Sequence, residues 1–193
     1  MIDALAIKEV SEASGKLKDC PLGRAAEQKS LAAPESDYDK PLYEKNCPRE
    51  NGEWSGERGD SIWRPDPDYV PLKANPEGKT WKEILDKHGI DGVKFKDGEP
   101  YFRDVAKGTA EIEDFSADRS DNFDRADAEL AKQREFAPEE VRKWRKENGY
   151  TWHECGDMKT MQKVPGELHN NIQHQGGIAK IKEINNKGGD VGK

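Results

Sequence analysis

Hydrophobic positions are sparse along this chain, and where they cluster their spacing predicts short elements. Thr80-Trp81-Lys82-Glu83 forms a capping box, with Trp81, Ile84, Leu85 and His88 on one helical face and Gly89 as the stop. The stretch "GIDGVKFKDGEPYF" alternates apolar and polar residues around Asp97-Gly98, the pattern of a short hairpin. Phe123, Ala126 and Leu130 recur at helical spacing behind an Asp/Asn cap in "SDNFDRADAELAKQREF". "APEEVRKWRKENG" reads as a compact helix, with Pro138 in the first turn, acids early, bases late and Gly149 at the end. Its Val141 and Trp144 are expected to pack inward.

A different pattern follows. Tyr150-Thr151-Trp152-His153 starts a strand, Gly156-Asp157 makes a turn, and Met161-Gln162-Lys163-Val164 is the returning strand. Pro165 then opens a short helix through Leu168, His169 and Asn170, expected to end at Gly176-Gly177. Strand alternation points Trp152 and His153 to opposite faces, and likewise His153 and Glu154. If Trp152 fills the core, His153 looks into a hollow. His169 and His174 are five residues apart, about 140° of helical rotation, and so do not share one face. Either the helix breaks near Asn171, or His174 works from the following loop.

Elsewhere the pattern is weak. Ile2 to Lys18 offers a short helix, but Pro21, Pro34, Pro41 and Pro48 amid polar residues make residues 1–50 read as a linker or leader. From Glu53, Trp54 and Trp63 flank glycines and four prolines follow, which suggests an irregular segment wrapping a core with its aromatic residues. A single domain over 51–193 is expected, of α+β class, mostly helical and irregular around a small strand–turn–strand–helix unit at about 150–177.

Composition fits a modest core. Of 193 residues, 33% are hydrophobic and 37% charged, so only part of the chain builds an interior. The net charge of −7 argues against a protein that coats nucleic acid by charge alone. Residues 139–187, however, carry nine Lys/Arg against seven Asp/Glu, a net of +2 that leaves −9 for the remainder. The Arg142-Lys143 and Arg145-Lys146 pairs, with Lys163, are the candidate nucleic-acid contacts, though basic pairs on a helix are commonly just solvated. Cys20, Cys47 and Cys155 form neither a disulfide framework nor a zinc ribbon, and free thiols are expected. The opening residues have no classical signal pattern and no stretch reaches membrane-spanning length.

Three of the four histidines, His153, His169 and His174, fall within residues 151–177. With Glu154 and Asp157 they offer the nitrogen and oxygen donors a divalent cation needs. A one-metal phosphodiester hydrolase also needs a base outside the coordination shell, and a neutral imidazole serves. Asn170 or Asn171 could hold the first strand or the base by hydrogen bonds. A structural zinc site built from His153, His169, His174 and Cys155 is the competing arrangement.

The pattern Trp-His-Glu-x-x-x-Asp-x-x-Thr-Met-Gln-x-Val-Pro-x-x-Leu-His-Asn, then His-x-Gly-Gly, resembles the WHH-type branch of the HNH/endonuclease VII nucleases, found at the C-termini of bacterial polymorphic toxins. "GERGDSIW", "FSADRSDNFDRAD" and "VRKWRKENGYTWHE" extend the resemblance over roughly residues 51–182. It implies a ββα-metal (His-Me finger) core in which His153 activates water, with Glu154 as ligand or orienting group and Asn170 supporting. His169, His174 and Asp157 would hold one divalent ion: Mg²⁺, Zn²⁺, Ni²⁺ or Mn²⁺. The departure is Glu154, where the pattern has a second histidine. The resemblance further implies a DNA or RNA substrate, DNA favoured, a cognate immunity protein, and delivery by a specialised secretion system from a larger effector. A metal-stabilised binding or adaptor module without catalysis is the alternative.

Overall fold

A computed structural model gives the three-dimensional structure, and it describes residues 46–188. The leader or linker expected over 1–50 falls almost wholly outside the described residues, as does Cys20. The described part is α+β, with five helices and two small antiparallel sheets. No helix among the described residues is long and apolar enough to cross a membrane.

The first sheet has four strands in sequential order: β1 (Gly52–Trp54), β2 (Ile62–Pro65), β3 (Val93–Lys96) and β4 (Glu99–Pro100). The Trp54 to Trp63 stretch, expected to be irregular, is a regular hairpin in which these two tryptophans are cross-strand partners. Proline enters only at its end: Pro65 closes β2 opposite Gly52, where the sheet has an edge and proline costs no ladder bond. The β3–β4 turn is the expected one, with Asp97 and Gly98 both at positive φ. Helix α1 (Trp81–His88) is inserted between β2 and β3, with its Thr80–Glu83 capping box formed and Gly89 left-handed at the C-cap. Its Trp81 packs edge-on to Trp63, ring centroids 5.8 Å apart.

The second sheet runs in the order β5 (Thr109–Glu111), β7 (Thr160–Pro165), β6 (Tyr150–Glu154). It separates two cores. One face buries Met161 and Trp152 against α2 (Arg119–Arg134) and α3 (Pro138–Glu147), through Ala126, Leu130, Ala131 and Val141. The opposite face contributes Val164 to a cluster with Phe102, Leu168 and the first sheet's Phe95 and Val93. Between Trp152 and the helices sits Asp127, fully buried, which accepts from Trp152 Nε1 at 2.8 Å and from Arg145 at 3.0 and 2.6 Å. A buried carboxylate with three donors pins strand β6 to both helices.

Trp144 departs from expectation. It is 42% exposed, because the inward place beside Val141 is taken by Arg145, and its ring instead lies over Lys163 Nζ at 4.3 Å. The helix after Pro165 also differs. It is one turn, α4 (Gly166–His169), ended at Asn170, while Gly177 begins a new helix, α5 (Gly177–Gly188). The cause lies at Asn171. Its side chain accepts from Lys73 N and donates to Lys73 and Glu167 carbonyls, taking the chain out of helical path.

Candidate metal centre

Strand β6 delivers His153 by alternation. Trp152 turns to the helices and His153 to the opposite face, where it is 1% exposed and paired across the ladder with Gln162. The single turn of α4 delivers His169, anchored by the fully buried Leu168 one residue earlier. The break at Asn171 then carries the chain back so that His174 arrives from a loop, which answers the five-residue spacing. Gly176 and Gly177 permit that return. A Cβ at either would lie within 2.7 Å of the Glu154 or Cys155 carbonyl oxygen, so the loop can lie on the end of β6 only without side chains there.

The outcome is three imidazoles in one group, each with a ligand atom within 4.8 Å of the others. Their ring centroids are 5.3 Å (His153–His169), 5.0 Å (His153–His174) and 4.8 Å (His169–His174) apart. With metal–nitrogen bonds of about 2 Å, each ring centre stands about 3 Å from an ion, and rings at tetrahedral angles are about 5 Å apart. Phe102 closes the group from beneath, 5.1 Å from the His153 ring and 5.9 Å from each of the others.

Protonation suits ligation. The His174 Nδ1 position is 2.7 Å from the Ile172 carbonyl, which only an N–H can satisfy, so Nε2 keeps its lone pair. His169 Nδ1 is 3.2 Å from Asn170 Oδ1, with the same consequence for Nε2. Burial and the other imidazoles hold His169 well below the usual histidine range, and burial and His153 bring His174 to about 4. Both rings are therefore neutral at pH 7. His153 Nε2 is buried with no hydrogen bond. Glu99 Oε1 stands 3.5 Å from it, too long to satisfy an N–H.

Beside His169 and His174 opens a hollow of about 300 Å³, lined also by Arg119, Glu154, Lys182 and the start of α5. Arg119 is the first residue of α2. Its Nε donates to Glu154 Oε2 at 2.9 Å, and its terminal nitrogens have no partner among the described residues. Glu154 is 4% exposed and also accepts from Asn122 Nδ2 at 2.9 Å. A larger cleft of about 690 Å³ beside β3 and the end of α1 contains no imidazole.

Several expected site residues are elsewhere. Asp157 is in neither metal-capable group. Its carboxylate holds the β6–β7 turn, accepting from Lys159 N, Thr160 N and Thr160 Oγ1. Arg145 and Lys163, expected to meet nucleic acid, are 6% and 3% exposed, one locked to Asp127 and the other beneath Trp144. Arg142, Lys143 and Lys146 ride on α3, across the sheet from the histidines, and Arg142 pairs with Asp124 at 2.9 Å. Arg119, Lys182, Glu99 and Phe102 border the site without a local sequence signal to mark them.

Cys155 completes a second group with Glu99 and His153, again with donors within 4.8 Å of one another. Burial and the Glu99 and Asp157 carboxylates push its thiol up to about 12, so in the metal-free protein it is not a thiolate nucleophile. Burial raises the Glu99 carboxyl, but His153 and the Gly156 N–H outweigh it and hold Glu99 below its ordinary value.

Residues 91–176 match the family model described as the DNase/tRNase domain of colicin-like bacteriocins. The matched stretch is under half of the chain and contains all three clustered histidines, Arg119 and Glu99. It supports a nuclease toxin domain. Among curated proteins, none matches the sequence.

Proposed function

We propose that this chain is a metal-dependent endonuclease toxin, hydrolysing phosphodiester bonds of nucleic acid, DNA ahead of RNA, inside a competitor cell. The observation that carries this reading is the tri-histidine group, with His169 and His174 held neutral, beside an open hollow that holds a guanidinium. The donor set fits a divalent cation: three nitrogens on one side and free space on the other, as a catalytic rather than a closed site requires.

His153, His169 and His174 are the ligands in this reading. His153 moves from base to ligand because it is the deepest member of the group and belongs to it as closely as the other two. A bound divalent ion supplies positive charge opposite the scissile phosphate and its leaving oxygen. Arg119, steered by Glu154, offers its two free terminal amino groups to a phosphate oxygen pair. Glu154 is the carboxylate that lines the hollow, and each of its oxygens keeps a lone pair beyond the bonds to Arg119 and Asn122. It accepts the proton of the attacking water. Asn170 fixes the His169 tautomer.

The same reading gives the chain a cognate immunity protein, docking acidic groups over the hollow at Arg119 and Lys182, and delivery from a larger secreted effector.

The test is cleavage of supercoiled plasmid and of total RNA by the purified chain, with Mg²⁺, Mn²⁺, Ni²⁺, Zn²⁺ or EDTA. Nicking that needs metal and disappears in His169→Ala is the expected result. A folded protein that binds metal and cleaves neither substrate would overturn it in favour of an adaptor module.

A further inference from the structure

Glu99 reaches the site from the first sheet. It belongs to β4, yet its Oε1 accepts from Gly156 N at 2.7 Å, a contact across 57 positions. Gly156 lacks a side chain where one would run into Glu99 Oε2 and Lys180 Nζ, so the carboxylate is seated by the turn rather than loosely exposed. Around this carboxylate stand Cys155 and His153, two residues apart on β6 and its continuation, on the same side by alternation.

One atom of this group is unexplained. His153 Nε2 is buried, makes no hydrogen bond, and lies 3.5 Å from Glu99 Oε1. A nitrogen in that position leaves a desolvation cost uncompensated unless something binds it. Sulfur, imidazole nitrogen and carboxylate oxygen are the ligand types of zinc, whereas Mg²⁺ takes oxygen and avoids thiolate. Three protein donors also leave a fourth position for water.

We propose that Glu99, His153 and Cys155 form a second cation site, selective for a thiophilic divalent ion such as Zn²⁺, and that filling it inhibits the enzyme. On binding, the Cys155 S–H bond breaks, sulfur joins the ion, and the proton leaves to solvent. A neutral imidazole has one lone pair. His153 therefore serves either this site or the tri-histidine site, and an ion held by Cys155 withdraws it from the other. The site itself stands on these residues; its inhibitory effect rests on the nuclease reading.

The experiment uses the full chain, stripped with chelator and titrated with Co²⁺ as a spectroscopic probe for Zn²⁺. Wild type should develop the near-ultraviolet thiolate-to-cobalt absorption band. Cys155→Ser should lack the band, Glu99→Gln should need about tenfold more Co²⁺ to develop it, and His169→Ala should retain it. In parallel, the Zn²⁺ concentration that halves Mg²⁺- or Mn²⁺-supported cleavage should rise about tenfold in Cys155→Ser, with cleavage in the absence of Zn²⁺ unchanged. No thiolate band in a folded wild type that binds Co²⁺, or a band surviving Cys155→Ser, refutes the site. A proper band in a protein that cleaves no nucleic acid keeps the site and overturns the nuclease reading instead. Equal Zn²⁺ sensitivity of wild type and Cys155→Ser refutes the inhibition.

Discussion

Arg119 Nε donates to Glu154 Oε2 at 2.9 Å, tying the first residue of α2 to the last residue of β6 across 35 positions. The bond takes the one donor of the guanidinium that cannot join its terminal pair, and so aims that pair into the hollow. Arg119→Ala should lower cleavage by about 10²- to 10³-fold, the range for removing one donor to a developing oxyanion, with metal affinity unchanged. Arg119→Lys should not rescue, since a compact ammonium lacks the planar fork that bonds Glu154 through one nitrogen and presents a parallel donor pair to the phosphate. Plasmid nicking rates beside calorimetric metal titration check both. Full activity of Arg119→Ala would remove it from the site.

Glu154 and His153 are neighbours with different assigned duties, and metal content separates them. Glu154→Gln should bind the divalent ion as wild type does and lose about 10²- to 10⁴-fold in turnover, the usual weight of a general base. His153→Ala should lose metal affinity as well as activity. A His153→Ala protein that binds metal normally yet fails to cleave would return His153 to the role of base.

How much of this was readable beforehand depended on whether a residue's partner was near in sequence. The Thr80 box, the Asp97-Gly98 turn and the Trp152/His153 alternation are local, so their outcome follows from spacing and backbone geometry. Trp144 misled because helical periodicity marks a face without saying which residue on it wins the inward place. Here buried Asp127 draws Arg145 inward and Trp144 lies outside. Asp157 misled because an acid near histidines looks like a ligand until the turn claims both its oxygens. Glu99 and Arg119 were illegible as site residues for one reason: each is brought there by an element far along the chain, through bonds that no local pattern encodes. The +2 charge of the histidine-rich end misled similarly, since two of its cations, Arg145 and Lys163, are buried.

Asp127 is the joint on which β6 hangs. Asp127→Ala would leave the Arg145 guanidinium and Trp152 N–H buried without acceptors, and removing one partner of such a pair costs about 3–5 kcal/mol. The midpoint of urea unfolding should fall accordingly, with metal affinity lost in step because His153 follows Trp152. A change below about 1 kcal/mol would show that water replaces the carboxylate.

The metal-free protein should be acid-sensitive above the carboxylate range. His169 and His174 have folded values depressed by burial, His174 to about 4, while in the unfolded chain each titrates near its ordinary value of about 6.5. Between those values the unfolded chain binds more protons, so stability present above about pH 6.5 is lost as pH falls toward 4. The loss should be on the order of 1–2 kcal/mol for the pair after allowance for their partial exposure. Unfolding followed from pH 7.5 to 4.5 in EDTA measures it, and His174→Gln should flatten the slope. An unchanged slope would mean that the ring escapes to solvent on protonation.

Lys163 gives the last test, because it is a buried cation with no carboxylate of its own. Burial, with Arg134 and Arg145 nearby, brings its amine down to about 8, and its ammonium rests against the Trp144 face. A depressed lysine binds fewer protons folded than unfolded between about pH 8 and the ordinary value near 10.4, so wild type gains stability as pH rises through that window. At pH 7 the charged form is buried at a cost that the cation–π contact offsets only in part. Lys163→Met keeps the stem and removes the charge. It should raise stability at pH 7 by about 1–2 kcal/mol, within the range for replacing buried ions by apolar groups, and abolish the gain above pH 8. Nucleic-acid affinity should be unaffected, which binding to a labelled duplex measures. A Lys163→Met protein of unchanged stability but weakened binding would restore Lys163 to the substrate surface.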